Sequence, residues 1–239
     1  MDHATAVPDL QGRGTPESSW SRCVQLNELE PWQPRPPASG RAVMVAPHPD
    51  DEIVGAGGTL ARLTGLGARV DLVAVTDGER SHPGMENHLR SLRPQETLLA
   101  AARLGVDFAD VKRLRHRDGG VDEQRLIDQL AVEFRSGDLV LAPWHNDRHP
   151  DHDAVGRAAR EAAARSGATV LSYLVWAWHW ASPDDLPWQK ALRVDIADVA
   201  AAKRKAVACF KSQLSVEPVV LAPHVLRRLL RSYEVLLQP

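Results

Sequence analysis

The sequence is poor in cysteine. Cys23 and Cys209 are its only two, they lie far apart, and they form no CxxC pair. That excludes a disulfide framework and a cysteine-rich metal site, and two free thiols suit a reducing cytoplasm. A surplus of one charge is also missing. The 29 Lys and Arg nearly balance 31 Asp and Glu, for a formal net charge of −2, without the basic excess that a binder of nucleic acid or of a membrane surface carries. No run of 18 apolar residues occurs, so no membrane span is expected. The opening MDHATAVPDLQGRG has neither the basic nor the apolar region of a signal peptide. These absences describe a cytoplasmic protein with no nucleic-acid or membrane partner, and they leave a homo-oligomer open.

What is present is an ordinary globular composition: 239 residues, 44% apolar and 25% charged. A chain of this length buries roughly 70% of its unfolded surface around one core, so it needs no metal to fold, and a metal site would have to be explained by function. Six of the 17 prolines fall within residues 1–38, which cannot hold a long helix or a central strand. We read 1–38 as a Pro-rich extension, partly extended and packed on the domain, with a mobile start, and 39–239 as the domain.

Within the domain, strands and helices alternate. Apolar runs predict strands at 41–46, 69–75, 111–114, 138–142, 169–180 and 191–196. Helices are expected at 59–66, 94–104 (with Pro94 as the first helical residue), 122–135, 153–165, 198–213 and 224–237. Buried strands without in–out alternation imply an α/β fold: a single Rossmann-like three-layer domain, its mainly parallel sheet covered by helices on both faces. In such folds ligands bind at the carboxyl ends of the strands, which directs attention to residues 47–55, 76–93, 115–121 and 143–151.

Two of those loops carry unusual chemistry. The first reads Pro47-His48-Pro49-Asp50-Asp51-Glu52, and the fourth runs from Trp144 to His152 with three of the ten histidines, His145, His149 and His152. Imidazole with carboxylate is a ligand set for zinc or a similar divalent ion. His48 and Asp51 are three apart, as on one face of a first helical turn. His149 and His152 offer one further ligand and one acid–base group. Three protein ligands leave a position for water, the open arrangement of a catalytic site, and Asp50 is placed to take a proton. Helix capping by the acidic residues and a polar surface loop explain either cluster alone; both on one edge of one sheet point to a site.

These motifs resemble the paired signatures of the PIG-L/LmbE-like zinc N-deacetylases, over roughly residues 41–213. Thr76-Asp77-Gly78-Glu79, Arg93 with Glu96, Asp118-Gly119 and Ser212-Gln213 resemble further elements of that family. The resemblance implies a zinc-dependent hydrolase removing acetyl from an N-acetylglucosamine-containing conjugate, a small-molecule amidosugar. It implies His48, Asp51 and His152 as ligands of Zn2+, with Fe2+ suiting the same donors. Asp50 would be the general base. His149 would stabilise the oxyanion or protonate the amine, and Asp151 would orient His149. Arg93 and Asp118 would hold substrate, with Trp144 placed beside the second motif to join them. Some members carry a Tyr two residues before that motif; here Asp147 stands there. The alternatives are hydrolysis of another amide, as in a thiol–sugar conjugate or an antibiotic precursor, and a non-enzymatic sugar- or nucleotide-binding domain.

Other features have plainer readings. Gly55-Ala56-Gly57-Gly58 lacks the last glycine of a dinucleotide fingerprint, since Leu60 stands there, and reads as close helix–sheet packing. Trp176, Trp178 and Trp180 would share one face of a strand, as core or as an aromatic wall. Arg80, His82, His88 and Arg90 populate a long loop that is either solvated or suited to an anionic group. Lys203-Arg204-Lys205 reads as a solvated helix face, and His179 as a hydrogen-bonded structural residue.

Overall fold

The computed structural model describes residues 12–239; the mobile start expected of the chain lies outside them. Seven strands form one sheet in the order β3-β2-β1-β4-β5-β7-β6: β1 Arg41–Ala46, β2 Arg69–Thr76, β3 Asp110–His116, β4 Leu139–Pro143, β5 Thr169–Tyr173, β6 Ala191–Asp195 and β7 Tyr233–Leu237. The first five in that order that precede β7 run parallel, and β7 is antiparallel to both its neighbours. β1 is buried at all six positions. Its alternate residues feed two cores: Ala42, Met44 and Ala46 face one layer, and Val43 and Val45 the other. That is why it reads as a continuous apolar run.

The helices are α1 Glu17–Ser21, α2 Val24–Asn27, α3 Asp51–Gly65, α4 Glu86–Leu104, α5 Glu123–Glu133, α6 Pro150–Ser166, α7 Ala177–Trp180, α8 Ala200–Val207, α9 Lys211–Leu214 and α10 Pro223–Leu229. α5 and α6 cover the Val43/Val45 face, while α3, α4 and α8 lie on the other. The α/β reading therefore holds. No helix among the described residues is long and apolar enough to cross a membrane. The segment before β1 carries two short helices and packs on the far side of the sheet through Trp20, whose indole donates to Trp178 O and meets the Trp178 ring edge-on at 4.9 Å.

Four elements differ from the sequence reading. α4 begins eight residues before Pro94 and carries it internally. Proline cannot donate to the carbonyl four residues back, but the Arg113 guanidinium from β3 reaches that Arg90 oxygen at 3.2 Å and supplies the missing donor. The run 169–180 is a strand only to Tyr173; Ala177–Trp180 is helical, because backbone amides 175–177 turn away to a buried carboxylate described below. The helix expected over 198–213 breaks at Ala208 into α8 and α9. The helix expected over 224–237 ends by Leu230, and Tyr233–Leu237 forms β7, inserted between β5 and β6. Its apolar run fits a helix or a buried strand by periodicity alone.

Strand order reverses between β1 and β4, so the chain leaves β1 and β4 toward opposite layers and opens a crevice at their carboxyl ends. At the opposite edge of the sheet Arg41 is held by Asp71 at 3.3 Å and by Asp138. Burial pushes the Asp138 carboxyl up, but hydrogen bonds from Arg41, the Arg135 amide and Ser39 outweigh it and hold the group below the usual carboxylate range. Its contribution to stability is therefore complete above about pH 4 and lost as pH falls through the lowered folded value. We expect Asp138→Asn to lower the unfolding free energy by about 3 kcal/mol at neutral pH. The gap between variant and parent should narrow toward pH 2, as read by urea melts at several pH values.

Candidate active site

The loop after β1 and the first turn of α3 meet the loop after β4 and the first turn of α6 at the crevice. Asp51 Oδ2 is the centre. It accepts the His48 backbone N–H at 3.0 Å, lies 3.1 Å from His48 Nδ1, and lies 3.2 Å from His152 Nε2. That last contact lacks hydrogen-bond geometry, and His152 Nε2, though fully buried, has no hydrogen-bond partner. The other ring nitrogen of His152 donates to Asp147 Oδ2 at 2.8 Å, which keeps a proton on Nδ1 and leaves Nε2 facing Asp51. The ring nitrogens of His48, His149 and His152 fall within 4.8 Å of one another, as do ligand atoms of His48, Asp118 and Asp151.

The charges of this cluster are mutually dependent. Burial disfavours a charged His48, yet hydrogen bonds with Asp118, Asp151 and Asp51 raise it well above the ordinary value. His152 behaves alike: burial lowers it, Asp51 and Asp147 raise it, and the balance is about 9. Asp51 is pushed up by burial but held far below the carboxylate range by the two imidazoles. The pocket is thus built to hold positive charge among buried carboxylates. A divalent cation meets that demand as well as protons do, and the orphaned Nε2 of His152 supplies a ready donor. On this donor chemistry the residues fit such an ion.

Asp50 stands apart from the cluster. Its backbone has φ 137°, ψ −32°, a left-side conformation costly for a non-glycine residue. Arg93 from α4 holds it there: one guanidinium nitrogen reaches Pro49 O at 2.7 Å and Asp50 Oδ2 at 3.1 Å, and the other reaches Gly78 O at 2.7 Å. Gly78 is required, since a Cβ there would lie 2.3 Å from the guanidinium. Burial lifts the Asp50 carboxyl to about 7, against the opposing charge of Arg93, a value suited to proton transfer near neutrality. His149 caps α6: its Nδ1 accepts the Asp151 N–H at 3.3 Å. Burial and the neighbouring imidazoles push it down to about 3, so the ring is neutral with its proton on Nε2.

Not every residue sits where the sequence suggested. Asp51, His48 and His152 converge; Asp50, Arg93, Asp118 and His149 line the same crevice. The Asp151 carboxylate does not orient the His149 ring. It faces His48 Nε2 at 3.0 Å and accepts the Gly119 and Val121 amides at 2.7 and 3.2 Å, and it is the Asp151 backbone that fixes the His149 tautomer. Trp144 is not in the crevice; it is buried against Trp180, ring on ring, with centroids 6.5 Å apart. Trp176 lines the crevice instead. The three tryptophans share no face: Trp178 packs on Trp20, and Trp180 lies between Trp144 and the Arg148 guanidinium.

Sequence reasoning left Asp147 without a role. Its carboxylate accepts the Val175, Trp176 and Ala177 amides at 3.4, 2.9 and 2.7 Å besides His152, so it fastens the Trp176 wall to a candidate ligand. Gln213 and Trp176 also line the crevice. Glu96 reaches across to Ser212, accepting its N–H at 2.9 Å and its hydroxyl at 2.6 Å, which ties α4 to α9.

Half of this chain matches one protein family. Residues 43–163 fit the model of PIG-L, the GlcNAc-PI de-N-acetylases. The chain belongs to the PIG-L family. Among curated relatives, the Bacillus anthracis "Probable N-acetyl-alpha-D-glucosaminyl L-malate deacetylase 2" is 31% identical over 134 residues, 51% of this chain and 58% of that protein. The chain spans 50–58% of the length of the first such relatives. Among solved structures, the N,N'-diacetylchitobiose deacetylase of Pyrococcus horikoshii superposes with TM-score 0.61 at 24% identity, covering 86% of this chain and 82% of its own. The 4-carboxy-2-hydroxymuconate hydratase GalB of Pseudomonas putida superposes with TM-score 0.63 at 20% identity, covering 82% and 95%. The PIG-L fold thus carries more than one chemistry, and the site has to decide between them.

The PIG-L motifs are positioned by an irregular helix. α3 kinks at Ala56 (φ −141°, ψ 19°), which frees a carbonyl on one side and amides on the other. Lys203 Nζ from α8 takes Val54 O at 2.9 Å; Glu234 from β7 accepts the Gly58 and Thr59 amides at 2.7 and 2.8 Å; the two pair at 2.7 Å. Gly55 lets the kinked turn lie on Tyr173, where a Cβ would come within 2.3 Å of the ring, in line with the packing role read from these glycines. Lys203 is therefore no solvated residue: its side chain is 1% exposed. Lys203→Met should lower the unfolding free energy by about 3–5 kcal/mol by stranding a buried carboxylate. An unchanged urea midpoint and slope would contradict this role.

Proposed function

We propose that this chain is a divalent-metal-dependent N-deacetylase that hydrolyses the acetamido group of an N-acetylglucosamine-type conjugate. One observation carries the reading: a buried ligand set around Asp51 lies in one crevice with a near-neutral carboxylate, Asp50, and a neutral imidazole donor, His149. The two histidine–aspartate motifs fall within the segment that matches the PIG-L model, and relatives similar to about half of the chain are named as deacetylases.

In this reading His48, Asp51 and His152 hold the ion, zinc by preference, with iron(II) suiting the same donors. When bound there, the ion supplies Lewis-acid polarisation of the amide carbonyl and makes water more acidic. The remaining work falls to the chain. Asp50 takes a proton from the attacking water as the C–O bond forms. His149 donates its Nε2–H to the oxyanion, a contribution of a few kcal/mol when the donor is fixed in advance. Asp50 then returns its proton to the sugar nitrogen as the C–N bond breaks, and the second proton of the water passes from the new carboxyl group to the freed amine, so the products are acetate and the ammonium form of the sugar and no proton is lost. The neutral state of His149 favours the oxyanion role over that of proton donor. Asp147 and Asp151 keep the two histidines in the tautomers these roles need.

Acetate release from a panel of N-acetylglucosamine conjugates tests the reading. Zinc-loaded protein should turn over at least one member, and Asp50→Asn should cut kcat by about 10²–10⁴ with metal retained; full activity in that variant would remove Asp50 from the role. His152→Ala should lose the bound ion by elemental analysis, whereas Asp147→Asn should keep it with affinity about 10–100-fold weaker. Stoichiometric metal in the His152 variant would displace it from the ligand set.

A further inference from the structure

The segment before β1 fastens one small element of the crevice wall. α7 has four residues, too few for a helix that stands unaided, and its end groups are satisfied from elsewhere in the chain. At its start the Val175, Trp176 and Ala177 amides go to Asp147. At its far end lie the carbonyls that a helix leaves without partners. Trp178 O accepts the Trp20 indole N–H at 3.1 Å, His179 O accepts the Thr15 N–H at 2.7 Å, and Ala181 O accepts the Thr15 hydroxyl at 2.7 Å. Gly14 makes the close approach possible. Its φ is 58°, and a Cβ there would lie 2.5 Å from His179 O and 2.6 Å from the ring Nδ1, so only glycine meets both demands.

The same segment reaches α10. Arg228, buried on that helix, donates to Arg13 O at 2.5 Å through one guanidinium nitrogen and to His179 Nδ1 at 2.9 Å through another. Arg231, just past α10, pairs with Glu17 at 2.7 Å and lies over the Trp178 ring, 4.4 Å from its centroid. Residues 13–20, α7 and α10 are thus tied in one knot, and two pairs of crevice residues lead out of it. Val175 and Trp176 stand directly before α7, and Val220 and Leu221 directly before Ala222, the N-cap of α10. α7 is about 6 Å long, so a shift at its far end reaches Trp176. Stability alone is served by Trp20, Cys23 and Leu26, which join the main core. Gly14 and Thr15 are outside that core and direct their contacts to α7 and the residue after it.

We infer that residues 13–20 are positioning residues for the substrate: they clamp the far end of α7, join it to α10, and so fix Val175, Trp176, Val220 and Leu221 as the apolar wall that a bound conjugate packs against. The inference rests on the deacetylase reading, and it brings to that site a part of the chain outside the family segment 43–163. A wall fixed beforehand loses less freedom when a ligand arrives, so the clamp acts on affinity. Asp50, Asp51 and His149 lie on other elements, and Asp147 still holds the start of α7 and the ring of His152 when the far end is freed.

The test compares parent protein with Gly14→Ala/Thr15→Val, which sets a methyl group against the His179 carbonyl and removes the bond to Ala181 O while leaving Trp20 in place. Acetate release is measured over the panel of N-acetylglucosamine conjugates, methyl N-acetyl-α-glucosaminide among them. KM should rise about fivefold or more, with kcat within about twofold and bound metal unchanged. Thr15→Ser, which keeps the hydroxyl, should keep the parental KM. Thr15→Val alone, used if the double variant does not fold, should raise KM in the same direction. An unchanged KM at whatever melting temperature, or a loss confined to kcat or to metal, overturns the clamp. Hydrogen exchange read by mass spectrometry separates it from the deacetylase reading. In the double variant the amides of 175–181 should exchange about fivefold faster or more, with β1 and β4 as in the parent. If no conjugate releases acetate the deacetylase reading fails, while faster exchange confined to 175–181 and 219–222 still upholds the clamp. Exchange equal to the parent's removes it in either case.

Discussion

The chemistry of this molecule hangs on one carboxylate oxygen. Asp51 Oδ2 meets the His48 amide, the His48 ring and the His152 ring, so it joins a residue that follows β1 to one that opens α6, about a hundred positions later in the chain. Such a junction forms only where strand order reverses, because only there do neighbouring strands send their chains to opposite layers. The parallel pairing of β1 with β4, the kinked α3 and the capped start of α6 all serve to bring that oxygen and those rings to one place.

Burying four or five carboxylates beside three imidazoles has an electrostatic consequence. None of these groups is charged or neutral on its own account. His48 and His152 are drawn toward the cationic form by the acids, the acids are held ionised by the imidazoles, and Asp50, whose nearest cation is Arg93, is left close to neutrality. A cation at the centre would take over the role of the imidazolium protons and leave the same carboxylates satisfied. The division of labour between a strongly ionised Asp51 and a poised Asp50 follows from one residue of spacing. The first faces the histidines, while the second is turned by a strained backbone toward Arg93.

How much of this the sequence made legible depends on how local the cause was. Strands β1, β2 and β4 are plain because a strand buried on both faces is apolar throughout, and the two histidine–aspartate motifs are plain because each lies in the loop after a buried strand and runs into the start of a helix. What could not be read were partners contributed from afar. α7 exists because Asp147 draws three amides onto one carboxylate, a fact about residues about thirty positions apart. β7 exists because β5 and β6 leave a slot between them. Pro94 stands inside α4 because Arg113 replaces its missing donor, and Lys203 is buried because α3 breaks opposite it. Trp144 was assigned to substrate by adjacency in sequence, yet adjacent residues on an extended segment point to opposite sides, and it is Trp176, across the Asp147 link, that reaches the crevice.

The two edges of the sheet show how stability and function are kept apart. At the amino-terminal edge Arg41 is answered by Asp71, Asp138 and the Glu133 carbonyl. At the carboxyl edge Glu52 Oε1, Arg93 Nε, His152 Nε2 and Gln213 Oε1 are buried without partners, and Asp50, Arg115 and Arg148 hold positive φ. An unsatisfied buried polar atom costs on the order of 1–3 kcal/mol, and such atoms persist only when the surrounding structure leaves them no alternative. Others lie elsewhere, such as Arg62 Nε and Thr64 Oγ1 near the end of α3 and Arg228 Nε on α10, but those beside the crevice stand where a ligand from outside the chain can meet them. Among them is His152 Nε2, which faces Asp51 Oδ2 at 3.2 Å, at the place where the proposed cation would be held.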